Sequence, residues 1–199
     1  MASKNVVIID GGGANIASLK FALARLGCEA EWTVDAEVIS HASHVILPGV
    51  GAAEDAMNRL KDAELDTLIP RLSQPVLGIC LGMQLFFDAS EENDTRCLGI
   101  LPGCAGQLQA TPDRSVPHMG WNQIQRTRES PLLDGIPDGS YFYFVHSYAL
   151  DVTTDTLAYT DYGRNFTAIV ERDNFAAAQF HPERSSAPGA RFLENFLNR

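Results

Sequence analysis

No stretch of this 199-residue chain approaches the ~20 consecutive apolar residues that span a bilayer, and its N-terminus has no basic segment followed by a signal-type apolar core. The expectation is a cytoplasmic protein with no membrane partner. Cationic side chains are scarce: 15 Lys+Arg face 25 Asp+Glu, for a formal net charge of -10. That balance repels phosphodiester backbones and argues against nucleic acid as a partner. Cysteines are few, Cys28, Cys80, Cys97 and Cys104, and no Cys-x-x-Cys pair occurs. A disulfide framework, a zinc site and a dithiol redox centre therefore lack a basis. There is no internal repeat, low-complexity tract or linker. With 45% hydrophobic and 20% charged residues, the chain is long enough for one core and short for two, so residues 1–199 are expected to form a single domain.

What the sequence does have is a pattern of short apolar runs, each followed by a helical period. Residues 5–10 read as a buried strand, Gly11-Gly12-Gly13-Ala14-Asn15 as a turn, and residues 16–26 as a helix with Ile16, Leu19, Leu23 and Leu26 on one face. Strands follow at 29–34, 44–47 and 76–79, with helices over 52–60 and 65–72. Strands separated by helices imply right-handed crossovers and a mainly parallel central sheet covered on both faces. The expected fold is therefore a three-layer α/β class. Beyond residue 84 the strand signals at 121–124, 141–145, 156–159 and 166–170 look antiparallel. Residues 174–180 suit either a strand or, by their alanines, a helix. A last helix is expected near 188–197.

Two loops carry chemistry. Gly78-Ile79-Cys80-Leu81-Gly82 behind the run at 76–79 has the spacing of a nucleophile elbow with cysteine at its centre. Taken alone, Cys80 is either a reactive thiol on a strained turn or a core cysteine beside a tight one. Pro48-Gly49-Val50-Gly51 could aim backbone N–H groups at one spot, as an oxyanion hole requires, or could be an ordinary strand-to-helix turn. Cysteine catalysis needs a histidine to move the proton and an acceptor to orient that histidine. His181-Pro182-Glu183 offers both. In an extended segment the two side chains would leave on the same side. His41 and His44 stand three apart without completing a metal-ligand set, so no metal is expected. His118 and His146, in Pro117-His118-Met119-Gly120-Trp121-Asn122 and Tyr143-Phe144-Val145-His146-Ser147-Tyr148, fit a binding surface or a core strand equally well.

Taken together, Gly78-Ile79-Cys80-Leu81-Gly82-Met83-Gln84, His181-Pro182-Glu183 and Pro48-Gly49-Val50-Gly51 closely resemble the class I (triad) glutamine amidotransferases. The two histidine-bearing motifs and the opening turn ending in Asn15 are similar to those of the glutaminase subunits of imidazole glycerol phosphate synthases, across the whole chain. That resemblance implies a catalytic set of Cys80, His181 and Glu183. It also implies an oxyanion site from Leu81 and Gly49-Val50-Gly51, and contacts from Gln84 and Glu92 to the amino-acid end of glutamine. No cofactor is implied. The implied partner is a (β/α)8 barrel cyclase in a heterodimer that receives ammonia, met through Asn15, Trp121, Tyr143 and Arg184. Arg184 stands where the family often has lysine, and Ala14 precedes Asn15 where Gly-x-Gly-Asn is commoner. Two other readings remain: a glutaminase subunit serving a different synthase, and a non-catalytic α/β module whose Gly11-Gly12-Gly13 contacts a phosphate. The latter turn matches neither common phosphate-loop pattern.

Overall fold

Val6–Ile9 sends its side chains alternately into two apolar layers, Val6 and Ile8 into one and Val7 and Ile9 into the other, because successive strand residues face opposite sides. A strand buried on both faces must lie inside a sheet covered twice, and this one does. In the computed structural model, which describes residues 4–12 and 16–199, an eight-stranded sheet is ordered Ala30–Thr33, Val6–Ile9, His44–Gly49, Val76–Cys80, Phe175–Ala178, Asn165–Arg172, Thr156–Asp161 and Gln125–Arg126. Pairings are parallel from Ala30–Thr33 through Phe175–Ala178 and antiparallel beyond. The expected parallel sheet is thus continuous with the antiparallel strands expected at 156–159 and 166–170, whereas those expected at 121–124 and 141–145 pair apart from it.

One layer is dominated by aromatic rings, Phe142, Phe144, Phe166, Phe180, Phe192 and Phe196. The helix Ser186–Leu197 contributes four buried apolar side chains to it through Phe192, Leu193, Phe196 and Leu197. The other layer is covered by Ala53–Asp62, which buries Ala53, Ala56, Met57 and Leu60. That helix carries Glu54 and Asp55 in its first turn and Arg59 and Lys61 in its last, matching the helix dipole. Among the described residues, no helix is long and apolar enough to cross a membrane.

Differences from the sequence reading have local causes. The helix expected over 65–72 is one α turn, Leu65–Leu68, followed by a 3-10 turn, Ile69–Arg71, since Pro70 has no N–H to continue the ladder. The strand expected to stop at 47 runs on through Pro48 and Gly49, which pair with Ile79 and Cys80. Alanine-rich Phe175–Ala178 is a strand: it fills the slot between Val76–Cys80 and Asn165–Arg172, where small side chains fit between two covered faces. A short helix, Ala36–Ser40, begins where Asp35 accepts hydrogen bonds from the N–H groups of Glu37 and Val38. Two smaller sheets complete the fold. One is an antiparallel ribbon of His118–Gln123 with Tyr141–His146, and the other joins Tyr148–Ala149, Cys104–Gln107, Ala89–Ser90 and Thr95–Arg96.

Candidate active site

The strand Val76–Cys80 and the helix Leu81–Leu85 share no linking residue, so the chain must reverse at Cys80 itself. Cys80 adopts φ 55° and ψ -110°, a backbone conformation that costs a non-glycine residue ~1–3 kcal/mol. The turn is possible only because its neighbours lack side chains. A Cβ on Gly82 would stand 1.8 Å from the carbonyl oxygen of Leu47, and one on Gly78 would stand 2.8 Å from the oxygen of Gly82. The result is a cysteine held at the carboxyl end of a central strand. The N–H of Leu81, the first helical residue, lies beyond the reach of any intrahelical acceptor.

His181 follows the neighbouring strand Phe175–Ala178, which places it beside Cys80 at the same end of the sheet. The segment 181–183 is not extended as the sequence reading supposed: Pro182–Arg184 forms a 3-10 turn preceded by His181. The tight turn still brings the pair together, with His181 Nδ1 2.9 Å from Glu183 Oε1. Burial on its own lowers the pKa of His181. The Cys80 sulfur and the Glu183 carboxylate outweigh it and carry the value up to about 10, which favours an imidazolium. His181 Nε2 is buried and hydrogen-bonds to none of the described residues, while Cys80 Sγ lies 3.7 Å from the carbonyl oxygen of Val145.

Cys80 and His181 open onto a cavity of about 280 Å³, whose wall also includes Val50, Gly51, Leu81, Gln84 and Glu92. That volume is near the lower end of small-ligand sites, which begin at roughly 300 Å³, and suits an occupant of amino-acid size. Six of the sequence-derived residues therefore converge on one space with Cys80. Gly51 there has φ +92°, a conformation open to glycine. Gly49 lies behind it, paired with Cys80 and lining a separate small recess beside His181 and Glu183. Glu92 also serves the fold: its Oε2 accepts the N–H of Ala53 at 2.7 Å, where the helix Ala53–Asp62 has no side-chain cap of its own.

The residues implied as a partner surface also meet. Arg184 lies over the ring of Tyr143, 4.4 Å from its centroid, and the Trp121 ring stands edge-on to Tyr143 at 6.0 Å. Met119, Trp121 and Tyr141 are all more than half exposed on the ribbon. Asn15 lies outside the described residues. His118 and His146 belong to the buried face of the same ribbon, where His118 Nδ1 and His146 Nε2 are 3.0 Å apart and His146 Nδ1 is 2.8 Å from the oxygen of Tyr148. Burial lowers the pKa of His118 to about 4 and, with smaller help from nearby cationic groups, that of His146 to about 3. The pair is therefore neutral at physiological pH. This answers the question left open by the sequence: these histidines are core groups, although His146 also reaches the cavity wall.

Sequence reasoning missed two buried polar residues. Gln179 is 0% exposed and bridges Gln84 to Cys80 Sγ, and Ser185, also 0% exposed, hydrogen-bonds to the backbone at both His181 and Tyr143. The signal was present in a glutamine inside an otherwise apolar strand run, and in a serine just after His181-Pro182-Glu183.

With this geometry in view, comparison with known proteins gives a consistent result. Residues 7–199 match the family model described as glutamine amidotransferase class-I. The chain is 52% identical over 192 residues to imidazole glycerol phosphate synthase subunit HisH of Xylella fastidiosa strain Temecula1, with 96% of both chains covered. It is 51% identical over 193 residues to the protein of the same name in Xanthomonas euvesicatoria, covering 97% of this chain and 96% of that one. Among solved structures, PurLQS of Thermotoga maritima superposes with a TM-score of 0.73 at 17% identity, covering 98% of each chain. The glutaminase domain of Trypanosoma brucei CTPS does so with a TM-score of 0.65 at 16% identity, covering 98% of this chain and 94% of that one. At those identities the structural likeness speaks for the fold alone.

Proposed function

Since this chain belongs to the class I glutamine amidotransferase family, we propose that it is the glutaminase subunit of an imidazole glycerol phosphate synthase, working in the cytoplasm as one domain. In this reading Cys80 Sγ gives its proton to His181, attacks the side-chain amide carbon of glutamine and gives a tetrahedral oxyanion. The N–H of Leu81 and one from Gly49-Val50-Gly51 receive that charge. Collapse of the intermediate breaks the C–N bond, His181 gives the leaving nitrogen its proton, and a glutamyl thioester and ammonia result. His181 then takes a proton from water, which releases glutamate and restores the thiol. Glu183 holds the imidazole through Nδ1, so that Nε2 carries the transferable proton.

Gln84 and Glu92 hold the amino-acid end of glutamine. The Nε2 of Gln84 is already engaged by Tyr148 O and Gln179 Oε1, which leaves its Oε1 for the substrate ammonium. Ammonia passes to a (β/α)8 barrel cyclase seated on the ribbon, which Asn15, Trp121, Tyr143 and Arg184 meet. The cyclase uses it to make imidazole glycerol phosphate and an aminoimidazole carboxamide ribotide. An enclosed route matters because ammonium formed in water is not a nucleophile.

The observation that carries this reading is the convergence of Cys80 and the His181–Glu183 pair at one amino-acid-sized cavity. Relatives at about half identity over nearly the whole chain supply the choice of synthase. The test is glutamate release from glutamine by the chain alone, with the cyclase, and with the cyclase plus its phosphoribosyl substrate. Release that rises at each step, and that vanishes in Cys80→Ala, is expected. Equal rates in all three conditions would overturn the coupling, and a partnership with another synthase would be read from the protein that co-purifies.

A further inference from the structure

Gln179 is an uncharged amide with no access to solvent, placed between Cys80 and Gln84, both on the cavity wall. A buried amide is costly unless both ends are hydrogen-bonded. Here both are: Gln84 Nε2 lies 3.0 Å from Gln179 Oε1, and Gln179 Nε2 lies 3.8 Å from Cys80 Sγ, within the longer reach of a sulfur acceptor.

A single backbone oxygen fixes which way these groups point. Tyr148 O can only accept, and Gln84 meets it at 3.0 Å, so Gln84 presents its NH2 there. The same NH2 faces Gln179, which must answer with its oxygen. Gln179 therefore turns its own NH2 to the Cys80 sulfur. Flipping either amide would set donor against donor or acceptor against acceptor. The other side of Tyr148 O obeys the same rule: His146 Nδ1 must carry the hydrogen, so its Nε2 accepts from His118 Nδ1, and His118 Nε2 is left to accept from Asn122 Nδ2 at 3.4 Å.

We propose that Gln179 is a positioning residue that ties the Cys80 sulfur to the substrate-holding amide of Gln84, a role that rests on the glutaminase reading. The two other groups near the sulfur differ in kind. Val145 O is an acceptor and suits a thiol hydrogen, whereas the Gln179 N–H is a donor and suits a sulfur that has lost it. Attack requires that loss, so Gln179 holds the sulfur in place when its bond to Val145 O is given up. Because the same amide anchors Gln84, the spacing between nucleophile and substrate end is set through one side chain.

Gln179→Met keeps the length and apolar volume and deletes both bonds, while Gln179→Glu keeps an oxygen for Gln84 and removes the donor to sulfur. In the complex with the cyclase, Gln179→Met is expected to raise the KM for glutamine and lower kcat. Gln179→Glu is expected to lower kcat with KM near wild type, a split that a loss of packing would not produce. Independently of turnover, capture of Cys80 by iodoacetamide, read peptide by peptide with exposed Cys104 as internal reference, should slow about tenfold in Gln179→Met, the scale of one hydrogen bond to a charged sulfur. If Gln179→Met does not fold, Gln179→Asn, which is too short to bridge, carries both measurements. Unchanged capture together with unchanged KM in a folded variant overturns the proposal. Absence of glutamate release by the wild-type complex would instead overturn the glutaminase reading, and the capture rates would still decide the role of Gln179.

Discussion

The N–H of His181 donates to the carbonyl of Tyr143 at 2.9 Å, so the imidazole at the cavity and the ring beneath Arg184 hang from one backbone contact. Ser185 completes the clip. Its Oγ accepts the N–H of Tyr143 at 2.9 Å and donates to the oxygen of His181 at 2.7 Å, with no solvent nearby to replace it. Ser185→Ala leaves a buried N–H without its acceptor, which costs roughly 1–3 kcal/mol. The expected outcome is a lower urea midpoint together with weaker stimulation of glutamate release by the cyclase. A variant that melts and responds like wild type would show that the clip is idle.

The strain at Cys80 can be separated from its chemistry. Alanine and glycine at 80 must both take up the positive φ, which strains alanine and not glycine, although glycine normally loses roughly 0.5–1 kcal/mol to alanine by backbone entropy. At this position the order should reverse. Relief of a conformation worth ~1–3 kcal/mol makes Cys80→Gly more stable than Cys80→Ala by about 1 kcal/mol, measured by chemical denaturation. Neither variant should release glutamate. Alanine matching or exceeding glycine would mean that the elbow is not strained.

The residues that announced the site in the sequence were those whose backbone is constrained. Gly78 and Gly82 were legible because a sharp strand-to-helix turn tolerates no Cβ there, and Pro182 because it fixes φ between a histidine and a carboxylate. The parallel half of the sheet was legible from buried runs separated by helical periods. The small four-stranded sheet was not: Ala89–Ser90, Thr95–Arg96 and Tyr148–Ala149 are two residues long and too short to show any period. Gln179 and Ser185 were passed over for a different reason. Their meaning comes from partners 99 and 42 residues away in the chain: the local sequence marks each as a polar residue beside an apolar run or a motif but does not name its partner. The second task of Glu92 was hidden in the same way.

Glu92 Oε2 caps a helix that begins 39 residues earlier in the chain, and the same side chain forms part of the cavity wall. The two tasks respond differently to substitution. Glu92→Gln keeps an oxygen for the N–H of Ala53 but removes the charge that would meet a substrate ammonium, so KM for glutamine should rise with only a few tenths of a kcal/mol lost in stability. Glu92→Ala loses the cap as well and should unfold about 1 kcal/mol more easily. Steady-state kinetics paired with denaturant midpoints on both variants gives the answer. A stability loss as large for glutamine as for alanine would show that the charge, not the hydrogen bond, secures the helix.

The neutral pair His118 and His146 makes the fold acid-sensitive in a defined window. Burial holds their folded pKa values near 4 and 3, below the ordinary histidine value of 6.5. Between those limits the unfolded chain binds more protons than the folded one, so stability falls as pH drops from 6.5 toward 4 and is insensitive to this pair above 6.5. Protonation of His146 would also place a second hydrogen between His118 Nδ1 and His146 Nε2, 3.0 Å apart, where only one fits, and protonation of His118 would set its Nε2 hydrogen against the NH2 of Asn122. His118→Phe retains the ring that lies between Tyr162 and Phe144 and removes one of the two titrations. Urea midpoints at pH 4.5, 5.5, 6.5 and 7.5 should therefore fall less steeply with acid in the variant than in wild type, because the variant has one fewer proton to exclude. Parallel curves would place the acid sensitivity elsewhere, in which case the buried chain from Asn122 to Tyr148 would have to carry its protons without cost.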